Sequence, residues 1–501
     1  MDGQSVSRRT FLGAGSVAAA RPAVGARAAR PNILLIYTDQ QRYDTIRALG
    51  NSRIETPNMD RLVSEGVAFT HATTPSPVCM AARWSLQTGQ WTSAHRCYSN
   101  HHPGPRRPAT DLPRMLRREG YRTALVGKNH TYLNAADFDV FEESPADGSA
   151  GSRERDAWLK SRMSANPRLC EQAVPGGIEA DGMHGKTNAA LRFLESAGHA
   201  PFFLFVSYLY PHTPYHVPEP WFSRYSDKDL GRPVVEPGGL EAAGKPFRQI
   251  FHQRNNNAIL PFTVEQTRIM RSVYYGMVSL VDGEIGRLLR FLDDHKLAGN
   301  TLLAFTTDHG DYMGDHGLYT KSPALYDCLV RVPFIVRWPG AVDANRRDGR
   351  FVSHVDLLPT FAAASGAPCP AQAQGLNLLP FLHDGGAGPA IRDAAFSEYG
   401  IPGRPYSQAR LEQEGLAGKK FANPGQPLLP WEGNPVSLAG RIRMVRTREW
   451  KFVEEQGGTD ELYGLQNDPG ELTNLAGNPA HRFTVRTLRA HLARWTASIG
   501  A

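Results

Sequence analysis

The sequence predicts an α/β fold, in which a large, mainly parallel sheet is sandwiched by helices and is followed by a smaller C-terminal subdomain of antiparallel strands and a helix. Three observations predict it. In the body of the chain, apolar runs of strand length alternate with helical patterns. A Pro- and Gly-rich stretch at 368–388 marks a boundary. Beyond it come short strand-like runs and one segment, 479–495, with apolar residues at helical spacing.

Length and charge narrow the class of protein. At 501 residues the chain is long enough for two or three domains, and we place the units at 1–30, 31–375 and 376–501. The formal charge is +7, but residues 1–30 hold five arginines and one aspartate, which leaves +3 for the remainder. That charge is too small to indicate nucleic-acid binding. The longest nearly continuous apolar run, 202–210, is far shorter than the ~20 residues of a membrane span.

Residues 1–30 have the features of a targeting segment. Ser-Arg-Arg-Thr-Phe-Leu at 7–12 resembles the twin-arginine export motif, and a short, weakly apolar run follows it. We therefore expect export to the periplasm or out of the cell; the alternative is a disordered basic tail. The cysteines are odd in number, which allows one chemically special cysteine beside four others that are free or form two bridges. None has the Cys-x-x-Cys spacing of a zinc site, and they are Cys79, Cys97, Cys170, Cys328 and Cys369.

Four predicted strands of the large sheet end on polar residues. The strands are 32–37, 122–126, 202–209 and 301–305. The residues that follow them are, in chain order, Asp39 and Gln40, Lys128 and His130, His212, and Asp308 and His309. Because ligands of open α/β sheets bind beyond the carboxyl ends of the strands, we expect these side chains to meet at one edge of the sheet.

A helix is predicted to begin at Cys79. Pro77 and small residues suit its start, and Gly89 suits its end. In the first turn, free backbone N–H groups and the helix dipole favour an anion and lower the pKa of a thiol. Arg83, one turn later, is expected to point back toward the same place and to hold an oxyanion. The alternative is a buried structural cysteine.

Asp39, Gln40, Asp308 and His309 form a candidate metal site. They supply three oxygen-type groups and one imidazole, which suit a divalent ion of fairly hard character. A single acidic residue at a strand end is as readily a helix cap. The prediction therefore depends on all four residues together, with Cys79 between them in sequence.

The stretch around Cys79 resembles the signature of the sulfatase family: Cys-x-Ala-x-Arg, four further residues, then Thr-Gly. The family usually has Pro at the third position, where this chain has Ala81, and Leu-Thr-Gly at the end, where Gln87 separates Leu from Thr. In that family the cysteine is converted to formylglycine by a formylglycine-generating maturase before the protein folds. The resemblance extends over nearly all of 31–497, including the C-terminal subdomain.

The resemblance implies a metal ion and a set of groups around the substrate. The positions that hold one calcium ion in the family correspond to Asp39, Gln40, Asp308 and His309, together with residue 79. His309 leaves manganese or zinc open as alternatives. The positions that bind the sulfate and move protons correspond to Lys128, His130, His212 and Lys321. Such groups compensate a tetrahedral anion in a dry cleft.

The resemblance also implies a mechanism. The hydrated aldehyde attacks the sulfur of the ester while Lys128 and Arg83 hold it in place. His212 or Lys321 protonates the departing alcohol. His130 then takes a proton, and the aldehyde forms again as sulfate leaves. An unmodified thiol lacks the second hydroxyl that this last step needs, so the modification decides activity.

Three segments are expected near the substrate pocket. The stretches 143–182 and 219–262 are rich in Gly, Pro and charge and are longer than plain connections, so we expect them to be insertions that wall or cover the pocket. The loop 401–440 is expected to reach over the site, with Arg404, Tyr406, Lys419, Lys420 and Trp431. Residues that either line the pocket or lie on the surface are His95, Asn100, His101 and His102. His316 is a candidate to support the site, and His354 is expected to be structural.

Three functions remain open from the sequence. The first is hydrolysis of a small sulfate ester. The second is hydrolysis of a phosphonate monoester or phosphodiester, because the same groups serve another tetrahedral anion. The third is non-catalytic binding of a sulfated ligand, if Cys79 stays unmodified. A two-zinc phosphatase is disfavoured because Gln40 stands where a second metal needs a carboxylate. The identity of the ester and the oligomeric state are not readable from the sequence.

Overall fold

A computed structural model describes residues 30–101, 107–143, 153–162, 166–198 and 200–500. Residues 1–29 of the predicted export segment and His102 lie outside these ranges. The strands are β1 Asn32–Thr38, β2 Val67–Thr73, β3 Arg122–Gly127, β4 Val140–Glu143, β5 Phe202–Ser207, β6 Thr301–Thr307, β7 Phe334–Arg337, β8 Arg346–Ser353, β9 Ala395–Tyr399, β10 Ala422–Asn423, β11 Gln426–Pro430, β12 Ile442–Arg446, β13 Trp450–Glu455 and β14 Glu461–Gly464.

Helices connect and cover these strands. They are α1 Pro57–Glu65, α2 Cys79–Thr88, α3 Thr92–His95, α4 Leu112–Arg118, α5 Arg153–Arg162, α6 Gly182–Ser196, α7 Gly239–Ala242, α8 Phe247–Ile259, α9 Val264–Asp294, α10 Asp327–Val330, α11 Leu357–Ser365, α12 Gln408–Gln413, α13 Pro435–Leu438 and α14 Arg482–Ser498. Among the described residues, no helix has the length and apolar character that crossing a bilayer requires.

The large sheet contains eight of the described strands in the order β4-β3-β5-β1-β6-β7-β2-β8. All neighbours pair in parallel except β7, which is antiparallel to both β6 and β2. The predicted mainly parallel sheet is therefore confirmed. The sequence patterns missed β7, whose four residues are too few for a clear period, and β2, whose apolar run is interrupted by Thr70 and His71.

Side chains of the central strand β1 alternate between two cores. Leu34 and Ile36 pack into the core beneath α1, α6 and α9, whereas Ile33, Leu35 and Tyr37 face the core beneath α2, α4 and α11. This alternation follows from the two-residue period of a strand whose two faces are both covered by helices. Both faces of the sheet are thus buried, and its carboxyl edge is left for a site.

Helices α9 and α2 have well-defined ends. In α9, Thr263 accepts a hydrogen bond from the N–H of Gln266, and the Gln266 side chain accepts one from the N–H of Thr263, so the two residues form a capping box. In α2, the first residue is Cys79 and the helix ends at Gly89, whose φ of 66° is left-handed. The predicted start and end of this helix are confirmed.

The C-terminal subdomain contains an antiparallel sheet of four described strands in the order β14-β13-β12-β9. Apolar residues of α14 pack on one of its faces, as the helical spacing at 479–495 predicts. Segment 401–440 adds the hairpin β10–β11, which the sequence analysis placed only as a loop. That hairpin matters because it extends toward the carboxyl edge of the large sheet.

Candidate active site

The ends of β1 and β6 bring two pairs of polar residues together. The two strands are parallel neighbours, in register up to Thr38 and Thr307, so Asp39 and Asp308 leave the sheet side by side. The backbone N–H of Gln40 donates to Asp308 Oδ1 at 3.0 Å, which ties the two strand ends to each other. The expected meeting of these residues at one edge is present.

Helix α2 adds Cys79 to this pair of strand ends. Its Sγ lies 3.1 Å from His309 Nε2 and 3.6 Å from Asp39 Oδ1. The candidate ligand atoms of Asp39, Cys79, Asp308 and His309 all lie within 4.8 Å of one another, and all four residues are buried. One small, enclosed space therefore holds two carboxylates, a thiol and an imidazole.

This donor set fits a divalent cation. Burial and the charge of Asp39 both raise the pKa of Asp308, which reflects two carboxylates in one dry space. A cation between them relieves that repulsion, and carboxylate oxygens with one imidazole suit a fairly hard dication. The Nδ1 of His309 is hydrogen-bonded to the carbonyl of Gly310 at 2.8 Å. That contact leaves Nε2 directed into the cluster, as is typical of a histidine ligand.

Gln40 connects the cluster to its surroundings. Its Nε2 donates to Asp311 Oδ2 at 2.6 Å, and its Oε1 accepts from Lys321 Nζ at 3.2 Å. Tyr215 also donates to Asp311 Oδ2, at 2.6 Å, so the amide is fixed with its oxygen toward Lys321. Sequence reasoning missed Asp311, which comes three residues after Asp308; this spacing was the available signal.

The guanidinium of Arg83 holds both carboxylates. Nη2 donates to Asp39 Oδ2 at 2.9 Å and Nε donates to Asp308 Oδ2 at 3.0 Å. Nη1 donates to the carbonyl of Lys128 and to Ser207 Oγ, at 3.0 and 2.8 Å. Arg83 is only 1% exposed and does not line the cleft described below. Its contacts therefore differ from the expected hold on a substrate oxyanion: it positions the carboxylates from behind.

Lys128 and Lys321 form a positively charged rim on the open side of the cluster, and the imidazoles of His130 and His212 belong to the same rim. Lys128 Nζ lies 2.6 Å from Asp39 Oδ2, and Lys321 Nζ lies 3.0 Å from His212 Nε2. Burial and the neighbouring Cys79 raise the pKa of Asp39, but the charges of Lys128 and Arg83 outweigh them and hold the pKa of that carboxyl well below its usual range. These two cations therefore keep Asp39 ionised.

The histidines of the rim are held neutral. Burial lowers the pKa of His130, and burial together with the charge of Lys321 lowers the pKa of His212. The Nδ1 of His130 has no hydrogen-bond partner among the residues that the structure describes. Each imidazole is therefore able to accept a proton near neutral pH.

The Cys79 thiol is electrostatically activated. Burial raises the pKa of the thiol, but the charges of Lys128, Lys321 and His309 outweigh burial and leave that pKa well below its usual value. A buried structural cysteine shows the opposite shift, as at Cys328, where burial raises the pKa. Cys79 thus occupies an anion-favouring position, as its place in the first turn of α2 predicts.

A cleft of about 690 Å³ opens above this rim. Its floor includes Lys128, His130, His212 and Lys321, so all four predicted substrate groups face one space. The walls come from two segments that the sequence analysis singled out. One wall contains Asp156, Leu159, Lys160, Pro167 and Arg168. The other contains Asn423 and residues 426–432, with Trp431 and Glu432.

The segment 219–262 does not line this cleft, so its predicted role in the wall is wrong. Its helix α8 packs instead against the C-terminal subdomain, where Gln249 Nε2 donates to Glu461 Oε2 at 3.0 Å. The amide oxygen of Gln249 accepts from the hydroxyl of Tyr326 at 2.5 Å. Composition marks a segment as an insertion but does not say onto which side it folds. Composition also does not show which residues of loop 401–440 reach the cleft. Trp431 lines it, whereas the other four residues proposed from this loop do not; they are Arg404, Tyr406, Lys419 and Lys420.

Some of the remaining candidate residues line the cleft, and others are buried away from it. Asn100 and His101 line the cleft, and Asn100 Oδ1 also accepts from the N–H of Met80 at 3.0 Å, which caps α2. His95 is buried against Ser85 Oγ at 2.8 Å and is structural. His316 contacts Glu236 at 2.6 Å and stacks on the ring of Tyr326. It therefore does not support the site as expected.

Comparisons with known proteins agree with this geometry. The sequence matches the Sulfatase family over residues 31–367. It is 28% identical to the multifunctional alkaline phosphatase superfamily protein PehA of Trinickia caryophylli, over 94% of this chain and 96% of that protein. It is 26% identical to the arylsulfatase of Clostridium perfringens, over 93% and 94% of the two chains. The crystal structure of the phosphonate monoester hydrolase of Agrobacterium radiobacter superposes with a TM-score of 0.75 at 27% identity, over 94% and 96%.

Proposed function

Because this chain belongs to the sulfatase family, we propose that it hydrolyses a sulfate ester to an alcohol and sulfate, with a formylglycine derived from Cys79 and one divalent metal ion. The observation that carries the proposal is the convergence of the ligand atoms of Asp39, Cys79, Asp308 and His309 within 4.8 Å, beneath a cleft whose floor is positively charged. A sulfate ester places its anionic group in such a site.

The metal ion would be held by Asp39, Asp308 and His309, with the amide oxygen of Gln40 and residue 79 beside them. Calcium is the first candidate because oxygen atoms dominate this set, and His309 keeps manganese and zinc as alternatives. When bound, the ion neutralises anionic charge and lowers the pKa of a hydroxyl that it contacts. Arg83 keeps the two carboxylates at the spacing that binding requires.

Formylglycine at position 79 would supply an oxygen nucleophile in place of the sulfur. The Cys79 side chain is 0% exposed, so no enzyme reaches it in the folded chain. A formylglycine-generating maturase must therefore act before folding is complete. Ala81, where the family usually has proline, lies in the segment that this maturase would recognise.

The rim groups divide the work of binding and proton transfer. Lys128 compensates the sulfate charge from its position beside Asp39. Lys321 Nζ and His212 Nε2 lie 3.0 Å apart, so Lys321 would protonate the departing alcohol directly or by way of neutral His212. His130 is neutral and has a free ring nitrogen within the described part of the chain, so it would accept the proton that restores residue 79.

Hydrolysis of a phosphonate monoester or phosphodiester is the second candidate. The similarity to the phosphonate monoester hydrolase of Agrobacterium radiobacter over almost the whole chain favours it, and the same rim would serve a phosphonate anion. If Cys79 is not modified, the site would bind a sulfated ligand without turnover. The sequence at 7–12 supports twin-arginine export to the periplasm or the medium for any of these functions.

The test compares two esters with one leaving group, 4-nitrophenyl sulfate and 4-nitrophenyl phenylphosphonate. The enzyme is produced with a formylglycine-generating maturase and assayed with calcium. We expect a higher kcat/KM for the sulfate and loss of turnover in Cys79→Ala. A higher kcat/KM for the phosphonate would favour the second candidate, and equal turnover by Cys79→Ala would contradict the role of residue 79.

A further inference from the structure

Arg168 carries a guanidinium that the mechanism above does not use. The residue is only 4% exposed, and among the residues that the structure describes its side chain forms no hydrogen bond or ion pair; its Nη1 is buried without a partner. Arginine stays protonated in proteins, and a buried, unpaired charge is strongly unfavourable. A protein that keeps such a group in a cleft wall supplies its partner from outside the chain.

The position of Arg168 is fixed by the backbone. Its carbonyl accepts from the N–H of Tyr215 at 2.7 Å, and the N–H of Cys170 donates to the carbonyl of Tyr215 at 2.9 Å. Leu169 and Tyr215 form a parallel bridge. The backbone of Arg168 is therefore attached to the segment that begins at His212, in the wall of the same cleft.

Arg168 lines the cleft but is not among the main charges that shift the pKa values of His130 and His212. Its charge acts on Glu432 and on His252. His252 is neutral because burial, reinforced by Arg168, lowers its pKa to about 4. Glu432 lies across the cleft, where its carboxylate accepts from Thr320 Oγ1 at 3.3 Å and lies 3.7 Å from Lys321 Nζ. The Glu432 carboxylate is thus engaged by other groups.

We propose, on the basis of the function proposed above, that Arg168 binds a second anionic group of the substrate. The ester that fits this cleft is one whose alcohol part carries a further oxyanion, either a carboxylate or a second sulfate. The guanidinium fork suits both because each presents two oxygens for parallel hydrogen bonds.

The space between the two charged ends suits the body of such a substrate. The cleft of about 690 Å³ is far larger than one sulfate needs, and apolar groups of Leu159, Pro214, Leu428 and Trp431 line it. A ring would lie against these side chains, with its sulfate on the rim and its second anion at Arg168. Apolar walls with a few convergent polar groups are typical of small-molecule sites.

Binding of inert sulfonates tests this without turnover. Isothermal titration calorimetry compares 3- and 4-sulfobenzoate with the matching sulfobenzamides, and benzene-1,3- and 1,4-disulfonate test the second source of the anion. We expect the charged ligand to bind about 10- to 100-fold more tightly than its amide. Arg168→Gln should remove that ratio, and Arg168→Lys should leave part of it because one ammonium replaces the fork.

Lys160→Gln is the matched control, because Lys160 is an exposed cation at the mouth of the same cleft. It should keep the ratio. Equal affinity of acids and amides for the wild-type protein, or an unchanged ratio in Arg168→Gln, would overturn the proposal. Turnover of the carboxyphenyl and carbamoylphenyl sulfates distinguishes failure of the hydrolase function from failure of the second anion site. If neither ester is hydrolysed while the sulfonates still bind through Arg168, the hydrolase function fails and the second anion site stands.

Discussion

Replacing Arg83 with methionine tests how the two carboxylates of the centre are held. Arg83 donates to Asp39 and Asp308 at 2.9 and 3.0 Å and to two further oxygens. Hydrogen bonds to charged groups contribute about 1.5–3 kcal/mol each, and removing one partner of a buried ion pair costs about 3–5 kcal/mol. Lys128 still compensates Asp39 in the variant. We therefore expect a loss of about 3–5 kcal/mol in the free energy of unfolding.

The assay is urea denaturation with a chelator present, so that no metal ion contributes. A double-mutant cycle with Asp308→Asn isolates the pair, and we expect a coupling energy of about 1.5 kcal/mol or more. Arg192→Met is the control, because Arg192 forms an exposed ion pair with Glu142 at 3.3 Å; exposed pairs contribute about 0–1 kcal/mol. Additive effects of Arg83→Met and Asp308→Asn, within about 0.5 kcal/mol, would refute the positioning role of Arg83.

Three further outcomes are expected. Lys321→Ala should lower kcat about 10²–10⁴-fold, and the loss should grow as the leaving alcohol becomes less acidic; a loss independent of the leaving group, in a series of aryl sulfates, would remove Lys321 from proton donation. Chelation should abolish turnover and lower Tm, and calcium should restore both, since the ion binds only the folded state; Tm unchanged by calcium would argue against the metal site. Between pH 7 and 5.5 the protein should lose about 3–4 kcal/mol of stability through His95, His252 and His354. Burial lowers the pKa of each to about 3 or 4, so only the unfolded chain takes up their protons below pH 6.5; a flat urea midpoint over that range would contradict this.

The part of the site that the sequence predicts is the part set by local structure. Asp39 and Asp308 follow strands, and Cys79 begins a helix, so general rules for strand ends and helix starts suffice to bring them together. The large sheet is predictable for the same reason, because its buried strands are long and apolar. The antiparallel strand β7 was missed because four residues carry no clear period.

The part that the sequence does not predict depends on contacts between distant segments. Arg83 was expected to hold a substrate oxyanion. Its guanidinium instead donates hydrogen bonds to Asp39 and Asp308, which follow strands β1 and β6. Glu432 and Arg168 come from two different insertions, and only the folded chain places them across one cleft. Their residue types carry no signal, because isolated charges in loops are usually solvated.

The most direct test of the whole account is the mass of the tryptic peptide 62–83, measured on the same preparations as sulfate release from 4-nitrophenyl sulfate. Conversion of Cys79 to formylglycine lowers the mass by about 18 Da. Preparations made with different amounts of maturase should show sulfate release in proportion to the converted fraction. Sulfate release from protein in which the peptide keeps the full cysteine mass would contradict the central claim.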